Sequence, residues 1–412
     1  MLYKYIEDNL QVVAACTVVS LSAVGLYIAK SRQTQLNRAR YLQPHLKFEC
    51  VLASEPPRKS SCTVLVTGGC GFLGSAIVSL LQAEGRGNTV IVFDVMLPKK
   101  ESRSSRVTYI KGNVLNCEHI KQALGIYSHM GIEVDCVIHT ASLIPFLGVP
   151  SEAILAVNVD GTQNLLDECR KKKVPMFIYT SSATAVLEKE DRNARRLKEE
   201  DCPYPTTHPD LYTSTKAEAE RRVIRENSPE FATCVLRPGG IFGRGDKLIA
   251  DKLVKGLDAV IIGSGEAFVE HVAVEDVAEA HVLALEALSS KTSRDRVGGQ
   301  AYFIGSGVEV TYGWVIGDTK EKLSHWGFPP PVKLPIWVAT SLARFNDAVF
   351  RLSGWIPLSP SLTLSLVDYT QRSYTFSIDK AKRDLNYQPK FTPSSKIRAL
   401  VEEEKASKSK TV

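Results

Sequence analysis

The sequence predicts an α/β fold in which helices cover both faces of a parallel sheet. From residue 62 to about residue 240, short apolar runs typical of buried strands alternate with segments typical of helices. The first run, residues 63–66, leads directly into a glycine-rich turn and a predicted helix. With 412 residues, 44% of them apolar, the chain is long enough for a large core. We therefore expect a doubly wound sheet of the Rossmann type at residues 62–243 and a smaller, substrate-binding part at residues 244–395.

The first 30 residues are predicted to be a transmembrane anchor. No charged side chain lies between Asp8 and Lys30, and a helix of about 20 residues crosses about 30 Å of hydrocarbon. Basic residues follow the run and keep its C-terminal side in the cytosol. A cleaved signal peptide is the alternative, but the residues before the run are partly acidic. Residues 31–61 contain prolines and serines without periodicity, which predicts a linker.

The turn at residues 67–74 (TGGCGFLG) has the spacing of a dinucleotide-binding turn. Gly68 permits the tight turn, Gly71 lets the backbone approach a diphosphate, and Gly74 lets helix and strand pack closely. The diphosphate would lie on the unpaired N–H groups of the helix predicted at residues 75–82. We assign Gly68, Gly71, Phe72, Leu73 and Gly74 to cofactor binding. A glycine turn without a ligand is the alternative.

The next predicted strand, residues 89–94, ends in Asp94, about 20 residues beyond the turn. A carboxylate there accepts hydrogen bonds from both hydroxyls of an adenosine ribose and repels a 2′-phosphate. NAD is therefore favoured as the cofactor. NADP stays the alternative, because Lys99 and Lys100 follow shortly.

Tyr212 is the only tyrosine with a lysine, Lys216, four residues later. On a helix this spacing places both side chains on one face. The unperturbed pKa of tyrosine is about 10, and the lysine ammonium is expected to lower it. Tyr212 can then take a proton from an alcohol while hydride leaves the same carbon for nicotinamide. Ser182, with Ser181 in reserve, ends another predicted strand and is expected to hold the substrate oxygen, although such serines also cap turns.

These motifs resemble those of extended short-chain dehydrogenases/reductases, and among them the 3β-hydroxysteroid dehydrogenase/isomerase family. The resemblance implies that Tyr212 is the acid/base, that Lys216 also binds the nicotinamide ribose, and that Asn158 supports a proton relay. Where the family commonly has an aspartate that reaches the adenine amino group, this chain has Asn113, whose amide oxygen can still accept that hydrogen bond. The resembling segments are residues 67–74, 112–114, 139–142, 158–162, 179–182, 212–216, 236–243, 271–278 and 380–387.

Within that family, the resemblance is closest to the enzymes that oxidise 4α-carboxysterols. It implies NAD-dependent oxidation of a sterol 3β-hydroxyl to the ketone, followed by loss of the C4 carboxylate as CO₂. The β-keto acid formed needs no further catalytic residue for that loss. The alternatives are a 3β-hydroxysteroid dehydrogenase/Δ5-isomerase, a nucleotide-sugar epimerase or reductase, and a non-catalytic, nucleotide-sensing membrane scaffold.

Other features indicate where the protein acts and what it does not bind. Nine scattered cysteines without a Cys-x-x-Cys pair, and no usable glycosylation sequon, indicate a reducing compartment. The tail at residues 396–412 is charged and is expected to be disordered; Lys408 and Lys410 resemble a dilysine retrieval signal. We therefore expect a single-pass protein of the endoplasmic reticulum membrane with its catalytic domain in the cytosol.

The sequence gives little evidence for other partners. A net charge of +6 gives no reason for nucleic-acid binding, no metal-ligand spacing is present, and a homodimer is left open.

Residues 334–355 suggest a second membrane contact. Apolar side chains recur at helical spacing, and Trp337 and Trp355 flank the segment. A helix lying in the membrane surface gives this pattern, and so does a helix packed on its own domain. The apolar residues that share this face are Val338, Leu342, Phe345, Val349 and Leu352.

Overall fold

A computed structural model describes residues 46–55, 62–83, 86–144, 149–246, 260–313, 332–353 and 364–409. The predicted anchor, residues 1–30, and most of the predicted linker lie outside these ranges. Within them, no helix is both long enough and apolar enough to cross a bilayer.

Sixteen strands and eleven α-helices are seen in the described ranges. The strands are β1 (Glu49–Val51), β2 (Thr63–Thr67), β3 (Thr89–Asp94), β4 (Val107–Lys111), β5 (Cys136–His139), β6 (Met176–Thr180), β7 (Asn193–Leu197), β8 (Ala232–Pro238), β9 (Gly240–Phe242), β10 (Val260–Ile262), β11 (Phe268–Val269), β12 (His271–Ala273), β13 (Gln300–Ile304), β14 (Val310–Thr311), β15 (Val332–Leu334) and β16 (Ser373–Phe376). The helices are α1 (Phe72–Leu81), α2 (Cys117–Leu124), α3 (Ser151–Leu155), α4 (Gly161–Lys171), α5 (Leu211–Arg225), α6 (Val274–Ser289), α7 (Arg294–Val297), α8 (Ile336–Ser353), α9 (Leu364–Tyr369), α10 (Asp379–Leu385) and α11 (Pro393–Ser409).

An eight-stranded sheet with the order β1-β4-β3-β2-β5-β6-β8-β13 forms the centre of the fold. All neighbouring strands are parallel except β1, which pairs antiparallel with β4. The chain winds outward from β2 in both directions, as in Rossmann folds. The predicted doubly wound sheet is therefore confirmed, and β1 is an addition at its edge.

Two apolar cores lie on opposite faces of this sheet. Alternate side chains of a strand point to opposite faces, so Val64 and Val66 pack in one core and Leu65 packs in the other. Helices α1, α6 and α10 cover the first core, and α2, α4 and α5 cover the second. Strand β13 and helix α6 come from the C-terminal half of the chain, so that half completes the main sheet. Its other strands form smaller sheets, two of which also include β7 or β9 from the first part of the chain.

The predicted disorder of the tail is wrong for the residues that the structure describes there. Helix α11 spans Pro393–Ser409, and Ile397, Leu400 and Val401 are buried. These three side chains recur at the spacing of one helix face, where charged neighbours obscure them in the sequence. Residues 410–412 lie outside the described part.

Helix α8 packs through small side chains. Ala339 and Ala343 are fully buried, in one cluster with Ile262 and Val367. Trp337 and Phe345 are each 60% exposed. Of the apolar face predicted for this segment, Leu342 and Phe345 are exposed and Val338 is half-buried. The fully buried contact is made instead by the two alanines, which are small enough to allow a close approach.

Candidate active site

The residues assigned from sequence lie at one edge of the main sheet, where the parallel strands have their carboxyl ends. Ligands of open parallel sheets bind at this edge. The glycine turn follows β2, Asp94 ends β3, Asn113 follows β4, and Ser181 and Ser182 follow β6. Helix α5 brings Tyr212 and Lys216 to the same edge, where Lys216 contacts the end of β6.

In the glycine turn, backbone atoms lie so close together that side chains do not fit. Gly68 has a φ of +67°, and a Cβ atom there would lie 2.9 Å from the backbone of Ala141. A Cβ atom on Gly74 would lie 2.2 Å from the carbonyl oxygen of Gly68. The Gly71 N–H donates to that same oxygen at 2.9 Å, which closes the turn. Only glycine fits at these two positions without a shift of the backbone.

Helix α1 begins at Phe72, three residues before its predicted start. Its N-cap is Gly71, which has no side chain to accept a hydrogen bond from the first turn. The N–H groups of Phe72 and Leu73 are therefore available to a diphosphate, and the side chains of both residues pack on the core. These residues fit the dinucleotide predicted for them.

Asp94 lies beside this turn. Its Oδ2 accepts a hydrogen bond from the Cys70 N–H at 3.0 Å, and its Oδ1 accepts one from the Met96 N–H at 3.1 Å. Burial raises the pKa of Asp94, and these backbone N–H groups oppose the shift. A carboxylate held on the glycine turn is well placed to meet the ribose of a nucleotide bound there.

Sequence reasoning missed two cations near Asp94. Arg103 and Lys111 line a cavity of about 400 Å³ together with residues that follow Asp94. The Lys111 Nζ donates to Glu49 at 2.8 Å, and the Arg103 Nε donates to the Pro98 carbonyl at 3.0 Å. Both cations thus have partners within the protein. The end of β4 could have identified Lys111, but nothing local identifies Arg103.

Asn113 is buried and takes part in a local turn. Its Oδ1 accepts a hydrogen bond from the Leu115 N–H at 3.0 Å, and its own N–H donates to the His119 Nδ1 at 3.3 Å. One acceptor position of the amide oxygen is therefore in use. The contact with adenine stays a prediction.

Tyr212 and Lys216 lie on one face of α5, as predicted. The Lys216 Nζ is 5.9 Å from the centre of the Tyr212 ring and donates to the Thr180 carbonyl at 2.8 Å. Burial lowers the pKa of Lys216 to about 7, and the charge of Glu220 opposes this shift. Burial, and next the charge of Asp210, raise the pKa of Tyr212. The predicted lowering of the tyrosine pKa is therefore wrong, because burial and the charge of Asp210 both raise it.

Ser181 and Ser182 have different surroundings. Ser182 is half-buried; its Oγ lies 2.9 Å from the Thr184 Oγ1 and accepts the Thr184 N–H at 3.3 Å. Ser181 is buried, and its Oγ has no hydrogen-bond partner in the described part of the chain. Ser182 is therefore the better placed of the two to meet a substrate. Thr184, which the Thr213 hydroxyl also contacts at 3.4 Å, was missed by sequence reasoning.

Asn158 lies in a π-helical turn, Ala156–Asp160, and is buried. Its Oδ1 accepts the Leu143 N–H at 2.7 Å, and its Nδ2 donates to the Leu143 carbonyl at 3.0 Å and to the Thr215 Oγ1 at 3.1 Å. The Thr215 hydroxyl donates in turn to the Tyr212 carbonyl at 2.8 Å. Asn158 thus joins the segment after β5 to the helix that carries Tyr212. Its role in a proton relay stays a prediction.

His139 is a further buried residue that sequence reasoning did not assign. Its Nδ1 lies 2.7 Å from the Thr67 Oγ1, and its Nε2 lies 2.9 Å from the Thr162 Oγ1. The Thr162 hydroxyl donates to the Asn158 carbonyl at 2.7 Å. Burial, with the Lys216 charge, lowers the pKa of His139 to about 3, so the ring is neutral. His139 therefore links the glycine turn to the turn that holds Asn158.

The fold and this site define a Rossmann-type protein with a dinucleotide turn and a tyrosine–lysine pair. The described residues include no group of three or more histidine, cysteine or acidic side chains placed to hold a metal ion. The family model of the 3-beta hydroxysteroid dehydrogenase/isomerase family matches residues 65–313. The chain belongs to this family, as predicted, and it is an NAD(P)-dependent dehydrogenase acting on a CH–OH group.

Curated relatives match most of the chain. A decarboxylating sterol-4-alpha-carboxylate 3-dehydrogenase of Candida albicans is 33% identical over 343 residues, which cover 79% of this chain and 93% of that protein. The short-chain dehydrogenase/reductase family 42E member 1 of Macaca fascicularis is 31% identical over 349 residues, covering 81% of this chain and 85% of that protein. Among solved structures, the UDP-glucose 4-epimerase of Thermus thermophilus in complex with NAD has a TM-score of 0.59 and 25% identity, covering 83% of this chain and 99% of that chain.

Proposed function

We propose that this chain oxidises the 3β-hydroxyl of a sterol to a ketone, and that its substrate carries a 4α-carboxylate. The observation that carries the proposal is the convergence of Tyr212, Lys216 and Ser182 beside the glycine turn. The names of the family and of the Candida relative support a sterol or steroid as the substrate. The carboxylate rests on the name of that relative and on the chemistry below.

The cofactor is NAD. When bound, it accepts the hydride that leaves C3 of the substrate. The glycine turn and the N–H groups of Phe72 and Leu73 would hold its diphosphate, and Asp94 would hold the adenosine ribose. The Thermus epimerase, whose likeness otherwise concerns the fold, is also named as a complex with NAD.

The proton of the hydroxyl goes to Tyr212. Ser182 would hold the substrate oxygen, because it is only half-buried whereas its neighbour Ser181 is buried. To act as a base, the phenol must first lose its own proton against the effect of burial. The positive charge of Lys216 favours that loss, since an opposite charge nearby stabilises a phenolate. Tyr212 therefore works only while Lys216 is charged.

Loss of the carboxylate follows from the ketone. Once C3 is a carbonyl, the electron pair of the bond between C4 and the carboxylate moves towards it, CO₂ leaves, and C4 takes a proton from solvent. No additional acid or base of the protein is required. A Δ5-isomerase, the competing function that the family name includes, would require a second acid/base pair to move the double bond.

The test is turnover of purified protein with NAD and three substrates. A 4α-carboxysterol should give NADH and CO₂ in equal amounts, with a 3-ketosterol as the product by mass spectrometry. The matched sterol without the carboxylate should be oxidised less efficiently, as judged by kcat/KM. A 3β-hydroxy-Δ5-steroid that yields a conjugated enone would establish the isomerase instead. If none of the three substrates gives NADH, sterol oxidation is rejected.

We also propose that the protein lies in the endoplasmic reticulum membrane with its catalytic part in the cytosol. The uncharged run at residues 9–29 and the lysines near the C-terminus support this location. The exposed Trp337 and Phe345 of α8 support a second contact with lipid. A sterol partitions into the bilayer, so an enzyme held there has direct access to it.

A further inference from the structure

Three residues of α5 follow each other at the spacing of one helical turn. Tyr212 and Lys216 belong to the proposed reaction, and Glu220 comes next on the same face. Glu220 is completely buried. A buried carboxylate is costly unless other groups pair with it, so its presence behind the catalytic pair requires an explanation.

Two other buried groups hold one oxygen of this carboxylate. The Glu220 Oε1 accepts hydrogen bonds from the Arg237 Nε at 3.0 Å and Nη2 at 2.5 Å. It also accepts one from the Tyr204 hydroxyl at 2.6 Å. The Oε2 atom is buried and has no hydrogen-bond partner in the ranges that the structure describes. All the hydrogen bonds described for this carboxylate are thus made by one of its two oxygens.

Several titratable groups face Lys216 from the elements packed around it. Tyr212 and Glu220 lie on its own helix, and the Tyr179 ring of β6 is centred 5.0 Å from its Nζ. His139, on β5, is neutral and is influenced by the lysine charge. Arg237, on β8, lies behind Glu220 and is paired with it. Among these groups, only Glu220 carries a negative charge.

We propose that Glu220 is a positioning residue of the reaction, whose carboxylate, fixed by Arg237 and Tyr204, keeps Lys216 in its charged form. The inference rests on the proposed oxidation, in which Tyr212 requires a charged Lys216. Burial alone would favour the neutral amine, and the carboxylate one helical turn away opposes it. The sequence shows this only as a glutamate at helical spacing, since Arg237 and Tyr204 are brought in by the fold.

The direct test is Glu220→Gln, which keeps the shape and removes the charge. The pKa of Lys216 is about 7 with Glu220 opposing the effect of burial. Without that charge it should fall, so the alkaline limb of the kcat profile should move to lower pH by about one unit. At a fixed pH above the alkaline limb of the wild type, kcat of the variant should then be about tenfold lower than that of the wild type. The matched control is Glu218→Gln, which removes a half-exposed carboxylate of the same helix that pairs with Arg222.

Glu220→Gln leaves Arg237 buried without its partner and can therefore unfold the protein. The double variant Glu220→Gln/Arg237→Met removes both charges and keeps the packing volume. It should also move the alkaline limb to lower pH, but by less than the single variant, because loss of the Arg237 charge favours the charged lysine. Circular dichroism confirms the fold. A folded variant with the wild-type pH profile would overturn the proposal, and so would an equal displacement in Glu218→Gln.

A measurement without turnover separates this proposal from the proposed function. Protein labelled with ¹⁵N-lysine allows NMR titration of Lys216, with its signal assigned by its loss in Lys216→Arg. A lower pKa of that lysine in the Glu220 variants supports the electrostatic role even if no sterol is oxidised. An unchanged lysine pKa rejects the role even if the wild type oxidises sterols as proposed.

Discussion

Burial acts on Tyr212 and Lys216 in the same sense, because it favours the neutral form of each. It raises the pKa of the phenol and lowers that of the amine to about 7. The helical spacing places the two groups together but does not by itself make them a charged pair. The charges depend on neighbours that come from other elements, such as Glu220.

Replacing Tyr212 by phenylalanine should lower kcat by about 10²- to 10⁴-fold, the usual contribution of general acid–base catalysis. Only the hydroxyl is removed, so the affinity for NAD, measured by fluorescence titration, should stay within a factor of about two. Tyr109→Phe is the control: this buried tyrosine of β4 accepts a hydrogen bond from the Ser104 N–H. A Tyr212→Phe enzyme that keeps more than about a tenth of kcat would remove the phenol from the proton transfer.

Replacing Asp94 by serine should raise the use of NADP relative to NAD. The carboxylate repels a 2′-phosphate, and the cations Arg103 and Lys111 lie in the cavity beside it. The measurement is the ratio of kcat/KM for the two cofactors, with Asp167→Ser on the exposed side of α4 as the control. A wild-type enzyme that already prefers NADP would contradict the ribose assignment.

At the scale of elements, α8 shows what periodicity leaves open. The repeat of apolar side chains predicts an amphipathic helix correctly, but it does not say which face packs on the domain. Ala339 and Ala343 are small enough to bring the helix close to Ile262 and Val367. Because the helix packs through these alanines, Trp337 and Phe345 are left exposed.

The double variant Trp337→Ser/Phe345→Ser should weaken binding to phosphatidylcholine vesicles. In a chain that starts at residue 31, we expect the partition coefficient from flotation to fall about tenfold or more, since burial of one such side chain is worth about 1.5 kcal/mol or more. Because both side chains are largely exposed, the melting temperature should hardly change. Val51→Ser/Leu52→Ser removes two exposed apolar side chains of the β1 region as a control. Equal binding by both variants would argue against a lipid contact of α8.

At the scale of the whole molecule, Glu270 joins the two halves of the chain. A Cβ atom on Gly239, after β8, would lie 2.7 Å from its Cγ, and one on Gly305, after β13, would lie 2.4 Å from its Oε1. The Ser306 N–H donates to this Oε1 at 3.0 Å. Burial raises the pKa of Glu270 to about 7. The junction therefore prefers a protonated carboxyl.

This preference makes stability depend on pH. Because the folded pKa lies above the ordinary value of 4.5, the favourable contribution of Glu270 is complete below pH 4.5 and is lost as pH rises to about 7. The loss is roughly 3 kcal/mol at most. In urea unfolding, Glu270→Gln should reduce the fall in unfolding free energy between these pH values, whereas Glu266→Gln, at an exposed position, should not. If wild type and Glu270→Gln show the same dependence of unfolding free energy on pH, the Glu270 carboxyl does not have a raised pKa in the folded protein.

The proposed topology concerns the complete chain. A single uncleaved span at residues 9–29 should leave everything from Lys30 onward in the cytosol. Protease added to intact microsomes should then digest the catalytic part, and a glycosylation site engineered at residues 40–60 should stay unmodified. A protected, glycosylated product would reverse the orientation, and a shortened soluble product would indicate a cleaved signal peptide.

Most of the nucleotide-binding half could be predicted from the sequence because its signals are local. The glycine turn, the strand that ends in Asp94 and the spacing of Tyr212 and Lys216 each depend on a few consecutive residues. The sequence already ranks Ser182 before Ser181, but it does not show how their surroundings differ, because adjacent residues of a chain point in different directions. The tail helix was missed because its few apolar residues stand among many charged ones.

The Rossmann-type fold, the family and the dehydrogenase chemistry could be predicted from the sequence, since backbone geometry and helical spacing are encoded in short stretches. The groups that surround those residues became known only from the packing of the folded chain. Glu220 meets Arg237 from β8, and Glu270 fits between Gly239 and Gly305. The first contact forms only once helix α5 packs on strand β8, and the second only once strands β8 and β13 lie side by side in the sheet. Burial and charge at the site follow from that packing, which no local pattern records.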